Sequence, residues 1–381
     1  MTAYLDNAAT SFPKPDTVYQ AVSDVLQNIG GSSGRAGHRW SQEASRIISN
    51  VRKTIATFFG IQTPSNIVFT KNGTEALNLG IKGLLKQGDH VITTSMEHNS
   101  VLRPLRSLAN KDIETTVVRC SKEGYLDPDD MKKAIKTNTR LIIMTHASNV
   151  TGALLPVEEA GRIAKAENIV FMVDAAQSAG VVNIDVEKQG IDLLACPGHK
   201  ALLGPQGTGF LYVRDGIELH PLLDGGTGWN SEEDTQPESM PEKFESGTLN
   251  TLGLNGLRAG VNFIEIQGIE RIRKHEKDLI HELTRRLSAF EEIIFYGPSD
   301  SKKKTGILSF NIKNVNPEEV GFILDSVYNI LVRVGLHCAP EAHKTIGTFP
   351  EGSVRVSPGY FNGSDEIDIL CEAVEEIIGR L

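Results

Sequence analysis

The sequence has 381 residues, of which 40% are hydrophobic and 23% are charged, as in an ordinary soluble globular protein. This length allows two domains with sizeable cores. The net charge of −9 at pH 7 and the lack of long lysine or arginine runs argue against nucleic acid or an anionic membrane as partner. We therefore expect small-molecule ligands.

The N-terminal residues lack the basic and apolar regions of a signal peptide, and no apolar run approaches the length of a membrane span. We therefore expect a cytoplasmic protein without a membrane segment. The cysteines lie far apart without a CxxC pair, which indicates neither a disulfide framework nor a metal site. They are Cys120, Cys196, Cys338 and Cys371.

After an amphipathic helix at about 16–28, short apolar runs alternate with helix-length segments. This alternation predicts an α/β fold with a mostly parallel seven-stranded sheet and helices on both faces. The last strand follows its predecessor through a tight turn, so we expect it to be antiparallel. The predicted strands are 67–70, 90–94, 113–118, 141–145, 169–174, 193–196 and 209–213.

The C-terminal part begins with a Gly- and acid-rich loop at 224–243, a length that is usually functional or at an interface. A helical region at 254–288 then leads into an α+β tail with strands near 307–312 and 354–356 and a closing helix at 366–380. We predict a large α/β domain over 15–255 and a smaller α+β domain formed by 1–14 and 256–381.

The run that ends at Lys200 is the centre of the predicted site. Pro197 and Gly198 stop an apolar strand and leave His199 and Lys200 at its end, where open α/β sheets place ligands. A lysine there can form a Schiff base with an aldehyde cofactor, and pyridoxal phosphate is the commonest such cofactor. On position alone, a solvated surface lysine is the alternative.

Polar residues come directly after the first two strands of the predicted sheet. Gly73 and Thr74 precede a helix at 76–85, so their N–H groups and the Thr74 hydroxyl form a phosphate seat, or else an ordinary capped helix start. His98 lies after the second strand, where its ring can stack on a flat cofactor. The alternative for His98 is a structural histidine.

A carboxylate ends the fifth predicted strand. Asn149 lies after the fourth strand, Asp174 ends the fifth, and Gln177 lies three residues further on. An unpaired buried charge is costly, so Asp174 needs a strong partner, which a protonated pyridine nitrogen would supply. The alternative is a buried aspartate that caps the following helix.

Five short runs around these residues resemble the class V aminotransferase superfamily of fold type I pyridoxal phosphate enzymes, and within it the cysteine desulfurase and selenocysteine lyase family. The likeness extends from Leu5 to the closing helix. The runs are Asn72-Gly-Thr-Glu75, Glu97-His98, Ser148-Asn-Val-Thr-Gly152, Val173-Asp-Ala-Ala-Gln177 and Gly198-His-Lys200.

The resemblance implies a role for each cofactor-site residue. It implies that Lys200 holds the cofactor aldehyde and that Asp174 keeps the pyridine nitrogen protonated, which makes the ring an electron sink. His98 would stack on the ring, and Asn149 and Gln177 would bind its phenolic oxygen. The residues assigned to the phosphate are Gly73, Thr74 and His199, with Thr248 reaching in from the second subunit of a homodimer.

The segment from Arg333 to Pro340 resembles the short catalytic loop of the second group of desulfurases, whose cysteine attacks the substrate sulfur. The resemblance therefore implies that Cys338 is catalytic, together with Lys200 and His98. A thiol with a pKa of about 8.5 is mostly protonated at neutral pH, so it needs a nearby cation such as His337, or proton transfer to the substrate. The alternative is a buried structural cysteine. The substrate-binding residues that the resemblance implies are Arg355, Arg333, Asn7 and His38.

Three features depart from the family pattern. Pro197 stands where the family usually has a serine or threonine that binds phosphate, and proline offers neither a hydroxyl nor an N–H. The glutamine usual before the proline of the catalytic loop is missing, and the 224–243 loop has no confident counterpart.

The resemblance thus implies a homodimeric cysteine desulfurase that converts L-cysteine to L-alanine through a persulfide on Cys338. The sulfur would pass to an acceptor protein or a reductant, in sulfur metabolism such as iron–sulfur cluster assembly. The main alternative is a C–S or C–Se lyase acting on cysteine, cystine or selenocysteine, which would not require Cys338. An aminotransferase or a non-catalytic sulfur-relay scaffold are further alternatives.

Overall fold

The computed structural model describes residues 2–34, 37–229 and 232–380. Its strands, in chain order, are β1 (Ala3–Tyr4), β2 (Ile67–Thr70), β3 (His90–Thr94), β4 (Glu114–Val118), β5 (Thr139–Thr145), β6 (Val170–Asp174), β7 (Leu193–Pro197), β8 (Gly209–Val213), β9 (Ile293–Tyr296), β10 (Leu308–Ile312), β11 (Ile330–Leu331), β12 (Arg333–Gly335) and β13 (Ser353–Val356).

The helices connect these strands and cover both faces of the central sheet. They are α1 (Asp16–Asn28), α2 (Arg39–Phe59), α3 (Gly73–Leu84), α4 (Asn99–Leu108), α5 (Pro128–Lys133), α6 (Val157–Ala166), α7 (Thr251–Gln267), α8 (Ile269–Leu287), α9 (Pro317–Tyr328), α10 (Pro340–Ile346) and α11 (Ser364–Ile378).

The central sheet has seven strands in the order β2-β8-β7-β6-β5-β3-β4. Every strand except β8 runs in the same direction, because β8 is antiparallel to both of its neighbours, β2 and β7. The predicted α/β fold and the antiparallel last strand are therefore confirmed. The central strands β5 to β7 are almost wholly buried, which explains their continuous apolar sequence.

The parallel direction brings five strand ends to one edge of the sheet. The residues that end β2, β3, β5, β6 and β7 are Thr70, Thr94, Thr145, Asp174 and Pro197. Each strand leads into a segment that turns away from the sheet, so the first residues of these segments surround a shared depression. The fold therefore collects polar residues that lie more than 100 positions apart in the sequence.

The helical region at 254–288 is two helices rather than one. Gly268 separates α7 from α8 with a φ of 83°, a backbone conformation that L side chains rarely adopt and that ends a helix. Helix α7 packs against α1 and α2, and its residues Leu254 and Leu257 belong to the core of the large sheet. Since α7 spans residue 255, the division into two domains at that position stays a prediction.

A second sheet lies in the C-terminal part, with antiparallel strands in the order β12-β13-β10-β9. Its apolar face packs with α8, α9 and α11 around a core of its own. The N-terminal strand β1 pairs in parallel with β11, and Ala3 and Leu5 are buried in the same core. The N-terminal residues therefore pack into the core of the C-terminal part of the chain.

Across the three described ranges, no helix is both long enough and apolar enough to cross a membrane.

A buried ion pair holds the segment after the 224–243 loop. The carboxylate of Glu245 accepts a hydrogen bond from the Phe69 amide at 2.7 Å and contacts the Arg52 guanidinium at 2.5 Å. The side chains of Arg52 and Glu245 are only 9% and 7% exposed. Arg52 also donates to the carbonyl of Ile67, so the pair joins α2 and β2 to the segment that carries Thr248.

We predict that Arg52→Ala lowers the free energy of unfolding by about 3–5 kcal/mol, because it leaves the Glu245 carboxylate buried without its cation. Urea unfolding followed by circular dichroism would measure the loss. The matched control is Arg46→Ala on the same helix, whose pair with Glu43 is exposed to solvent and should leave the midpoint unchanged. Equal midpoints for the two variants would show that Glu245 does not depend on Arg52.

Candidate active site

A cavity opens at the edge where the parallel strands end. Its walls come from the segments after β2, β3, β5, β6 and β7, as the sheet direction requires. Eight of the nine residues assigned to the cofactor line it together, and Thr248 does not. The eight are Gly73, Thr74, His98, Asn149, Asp174, Gln177, His199 and Lys200.

Lys200 and Asp174 lie in this cavity as a buried amine and a buried acid. Burial lowers the pKa of Lys200 to about 8, and the charge of Asp174 opposes that shift. Lys200 has some exposed area because it faces the cavity, but it is enclosed by protein on its other sides. Burial raises the pKa of Asp174, against the hydrogen bond that one of its oxygens accepts from the Ala176 amide at 2.9 Å.

The N-termini of two helices meet on one wall of the cavity. Asn72 caps α3 by accepting a hydrogen bond from the Glu75 amide at 2.9 Å, which places Thr74 in the first turn. His98 caps α4 by accepting a hydrogen bond from the Ser100 amide at 3.0 Å on its Nδ1 atom. The hydroxyls of Thr74 and Ser100 are 2.8 Å apart, so they connect the two helix starts.

The two amide side chains of the cavity also hold neighbouring segments. The Asn149 amide donates to the carbonyl of His337 at 2.8 Å, and the Gln177 amide donates to the carbonyl of Ala8 at 2.9 Å. Each amide nitrogen has a second proton. These two side chains therefore hold the 333–340 loop and the N-terminal segment, and each keeps an N–H that can bind a ligand.

The Arg355 side chain is 2% exposed and lies next to the cavity. It pairs with Asp6 at 2.6 Å and donates to the carbonyl of Asn149 at 2.9 Å, while its Nε atom has no partner among the described residues. Burial lowers the pKa of Arg355, and the adjacent Asp6 opposes the shift. The arginine thus stays charged and retains a free donor, as an anion site requires.

The 333–340 loop projects the side chain of Cys338 outward. His337 and Cys338 have φ values of 48° and 57°, and Cys338 is exposed. The carbonyl of Cys338 accepts a hydrogen bond from the Asn99 amide at 2.8 Å, next to His98. Together with the Asn149 contact, this bond attaches the loop to two of the segments that line the cavity.

His337 is not the cation that the sequence suggested for Cys338. It is buried, and burial with the positive charge of Arg355 lowers its pKa to about 2. The ring therefore stays neutral at neutral pH, with its Nε2 atom 3.2 Å from the Ser353 hydroxyl. Arg333 forms a cross-strand pair with Arg355, and the charges of both arginines act on the His337 ring.

The other predicted substrate residues lie in different places. Asn7 lines an adjacent cavity with Gln177, and its amide donates to Ser357 and Asn362. His38 caps the start of α2, exposed to solvent and outside the walls of the cofactor cavity. Thr248 is exposed on the segment held by Glu245. The substrate roles of Asn7 and His38 stay predictions.

The cavity fits pyridoxal phosphate by the chemistry of its walls. The Nδ1 atom of His199 is buried without a partner among the described residues, which leaves a polar atom that a ligand would satisfy. Thr74 and the first amides of α3 offer donors to a phosphate, and Asp174 offers an acceptor to a pyridinium. Lys200 supplies the amine. In the same described residues, no group of three or more His, Cys, Asp or Glu side chains could hold a metal ion.

Residues 3–370 match the family described as aminotransferase class-V. The chain belongs to this family. Its members depend on pyridoxal phosphate, which is the cofactor that the chemistry of the cavity walls fits.

Relatives within the family are cysteine desulfurases. A probable cysteine desulfurase of Methanothermobacter thermautotrophicus is 40% identical over 99% of this chain and 94% of its own length. One from Pyrococcus abyssi is 38% identical, with 99% and 94% covered. The apo structure of cysteine desulfurase from Thermococcus onnurineus superposes with a TM-score of 0.94 at 38% identity, over 100% of this chain and 95% of that one. The chain is therefore a member of the cysteine desulfurase family.

Two residues of the site were missed from the sequence. Asp6, the partner of Arg355, stands beside the predicted Asn7, and Ser100 stands two residues after His98. Asp6 could have been inferred only from the need of a buried arginine for a counterion. Ser100 reads as an ordinary residue in the first turn of a helix.

We predict that cofactor-free protein takes up pyridoxal phosphate with a rate that rises with pH through a midpoint near the Lys200 pKa of about 8, because only the neutral amine attacks an aldehyde. A solvated lysine would place the midpoint at about 10.4. Stopped-flow absorbance would measure the profile. In Asp174→Asn, the loss of a charge that raises the Lys200 pKa should move the midpoint to lower pH. A midpoint at that of a solvated lysine, or a move to higher pH in the variant, would contradict this account.

Proposed function

We propose that this protein is a pyridoxal phosphate-dependent cysteine desulfurase that converts L-cysteine to L-alanine. The observation that carries the proposal is the exposed Cys338 on a loop attached to the rim of the cavity that contains Lys200. A lyase would need the cavity alone. The attachment of a free thiol to that cavity favours sulfur transfer.

Arg355 provides the anion site for the substrate carboxylate. Its Nε donor is free among the described residues, and its charge is oriented by the 2.6 Å contact with Asp6. A planar guanidinium binds a carboxylate through two parallel hydrogen bonds. Arg333 lies beside Arg355 and adds a second positive charge to the same region.

Lys200 moves the proton at the substrate α-carbon. Its pKa of about 8 leaves roughly a tenth of the amine neutral at pH 7, far more than in a solvated lysine, so it can act as a base. Pyridoxal phosphate, when bound, supplies an electron sink for the negative charge at that carbon. Asp174 lies at the end of β6, where its carboxylate can pair with the pyridinium nitrogen.

Cys338 takes the sulfur in the next step. Its thiolate attacks the substrate sulfur, a sulfur–sulfur bond forms, and the bond between the substrate sulfur and the β-carbon breaks. The β-carbon keeps the electron pair and gains a proton, which gives alanine and a persulfide on Cys338. The exposure of Cys338 leaves the persulfide accessible to an acceptor.

We infer further that the protein works as a cytoplasmic homodimer and donates sulfur to an acceptor protein, as in iron–sulfur cluster assembly. Thr248 supports the dimer, because it is exposed outside the cavity on a segment fixed by the Arg52–Glu245 pair. Because Thr248 does not line this chain's cavity, we propose that its hydroxyl reaches the phosphate in a second subunit. The net charge of −9 supports a protein rather than a nucleic acid as partner.

We predict that Cys338→Ala forms alanine from L-cysteine at less than about 1% of the wild-type rate, because the attacking atom is gone. The assay measures sulfide, alanine and pyruvate together in the presence of dithiothreitol. Wild-type protein should give sulfide and alanine in equal amounts.

The control is Cys371→Ala, which removes a buried thiol from the core of the second sheet. It should keep the wild-type rate. Pyruvate formation that survives in Cys338→Ala would contradict the proposal and identify a C–S lyase. Loss of product in both cysteine variants would point to a folding defect, which circular dichroism of the same samples would reveal.

A further inference from the structure

We propose that the Ser100 hydroxyl binds the phosphate of the cofactor and supplies the donor that Pro197 does not. This inference rests on the proposed function, because it concerns pyridoxal phosphate in the cavity described above. It adds a binding residue from the start of α4 to the seat formed by the start of α3.

Ser100 is placed for this role by the meeting of two helix N-termini. Its side chain is buried, with 8% of the residue exposed, and it lines the same cavity as Gly73 and Thr74. Its hydroxyl is 2.8 Å from that of Thr74. Two hydroxyls at this separation can each donate a proton to one phosphate group, and the positive ends of both helix dipoles favour an anion there.

The Ser100 hydroxyl can turn its proton toward a phosphate without leaving His98 unpaired. The Nδ1 atom of His98 accepts a hydrogen bond from the Ser100 amide at 3.0 Å and lies 2.9 Å from the Ser100 hydroxyl, so two donors share one lone pair. The neutral ring carries its proton on Nε2. When the hydroxyl turns to an anion, the amide still satisfies Nδ1.

The start of α3 has a neighbour that offers no donor. Pro197 lines the cavity with a ring that carries neither a hydroxyl nor an N–H. Its Cδ atom lies 3.1 Å from the point where a Cβ on Gly73 would be, so the ring fills the space beside the start of α3. Within this chain, the side-chain donors that the cavity offers to a phosphate are therefore Thr74, Ser100 and His199.

The test compares pyridoxal phosphate with pyridoxal, which lacks the phosphate. Equilibrium dialysis of the cofactor-free full chain would give both dissociation constants for wild type and Ser100→Ala. We expect the variant to bind pyridoxal phosphate roughly 10- to 100-fold more weakly, as for a lost hydrogen bond to a charged group, and to bind pyridoxal within about twofold of wild type. Ser107→Ala, a hydroxyl removed from the last turn of the same helix, should change neither constant.

Pro197→Ser in the Ser100→Ala background tests the replacement directly. It places a hydroxyl beside the start of α3, so it should recover most of the lost affinity for pyridoxal phosphate. If Ser100→Ala does not fold, Ser100→Cys gives the same comparison, because a thiol of similar size is a weak donor.

If Ser100→Ala weakened the binding of pyridoxal phosphate and of pyridoxal equally, the inference would be overturned. The variant would then act on binding of the ring, through His98, and not on binding of the phosphate. Unchanged binding of pyridoxal phosphate in Ser100→Ala would overturn it as well. Both results differ from a failure of the proposed function, which would appear as pyruvate formed by Cys338→Ala while wild-type protein still binds pyridoxal phosphate.

Discussion

The ion pair between the buried Arg355 and the partly buried Asp6 joins the parts of the chain that form the site. Arg355 comes from β13 of the second sheet, and Asp6 comes from the N-terminal segment. The same guanidinium donates to the carbonyl of Asn149 at the edge of the large sheet. Removing one partner of a buried pair leaves an uncompensated charge, so each of these three segments depends on the others.

Hydrogen bonds from Asn149 and Asn99 extend these contacts to the 333–340 loop. The Asn149 amide holds the carbonyl of His337, and the Asn99 amide holds that of Cys338. Both loop residues have a positive φ, which is unfavourable for residues with side chains and persists only where neighbouring contacts impose it. We infer that these two hydrogen bonds impose it. The strain directs the thiol outward and leaves the carbonyls bound to the cavity rim.

The cations around the cavity also affect the protonation of His98. Lys200, Arg333 and Arg355 together add to the effect of burial on His98, whose pKa falls to about 4. A neutral ring can lie against a flat aromatic ligand without a charge that would repel these cations. Anions are favoured in such a region, and both the phosphate of the cofactor and the carboxylate of an amino acid are anions. The neutral His337 fits this pattern.

Periodicity and strand direction are the features of the fold that the sequence predicts best. The apolar runs and their spacing predict a parallel sheet, and that sheet brings Asp174 and Lys200 to one edge however far apart they are in the chain. Contacts between side chains that lie far apart in the sequence produce no periodic pattern from which they could be predicted. The pairs Arg355–Asp6 and Arg52–Glu245 join residues from separate elements, and the neutral state of His337 results from burial that a loop sequence does not reveal. The break at Gly268 results from one backbone angle within a continuous helical pattern.

The most direct test of this account is to locate the transferred sulfur. Protein loaded with pyridoxal phosphate would be mixed with L-cysteine without a reductant, digested, and its cysteine peptides weighed by mass spectrometry. The account predicts one additional sulfur atom on the peptide that contains Cys338, with none on those of the buried Cys120, Cys196 and Cys371. An unmodified Cys338 in protein that still releases sulfide would contradict it.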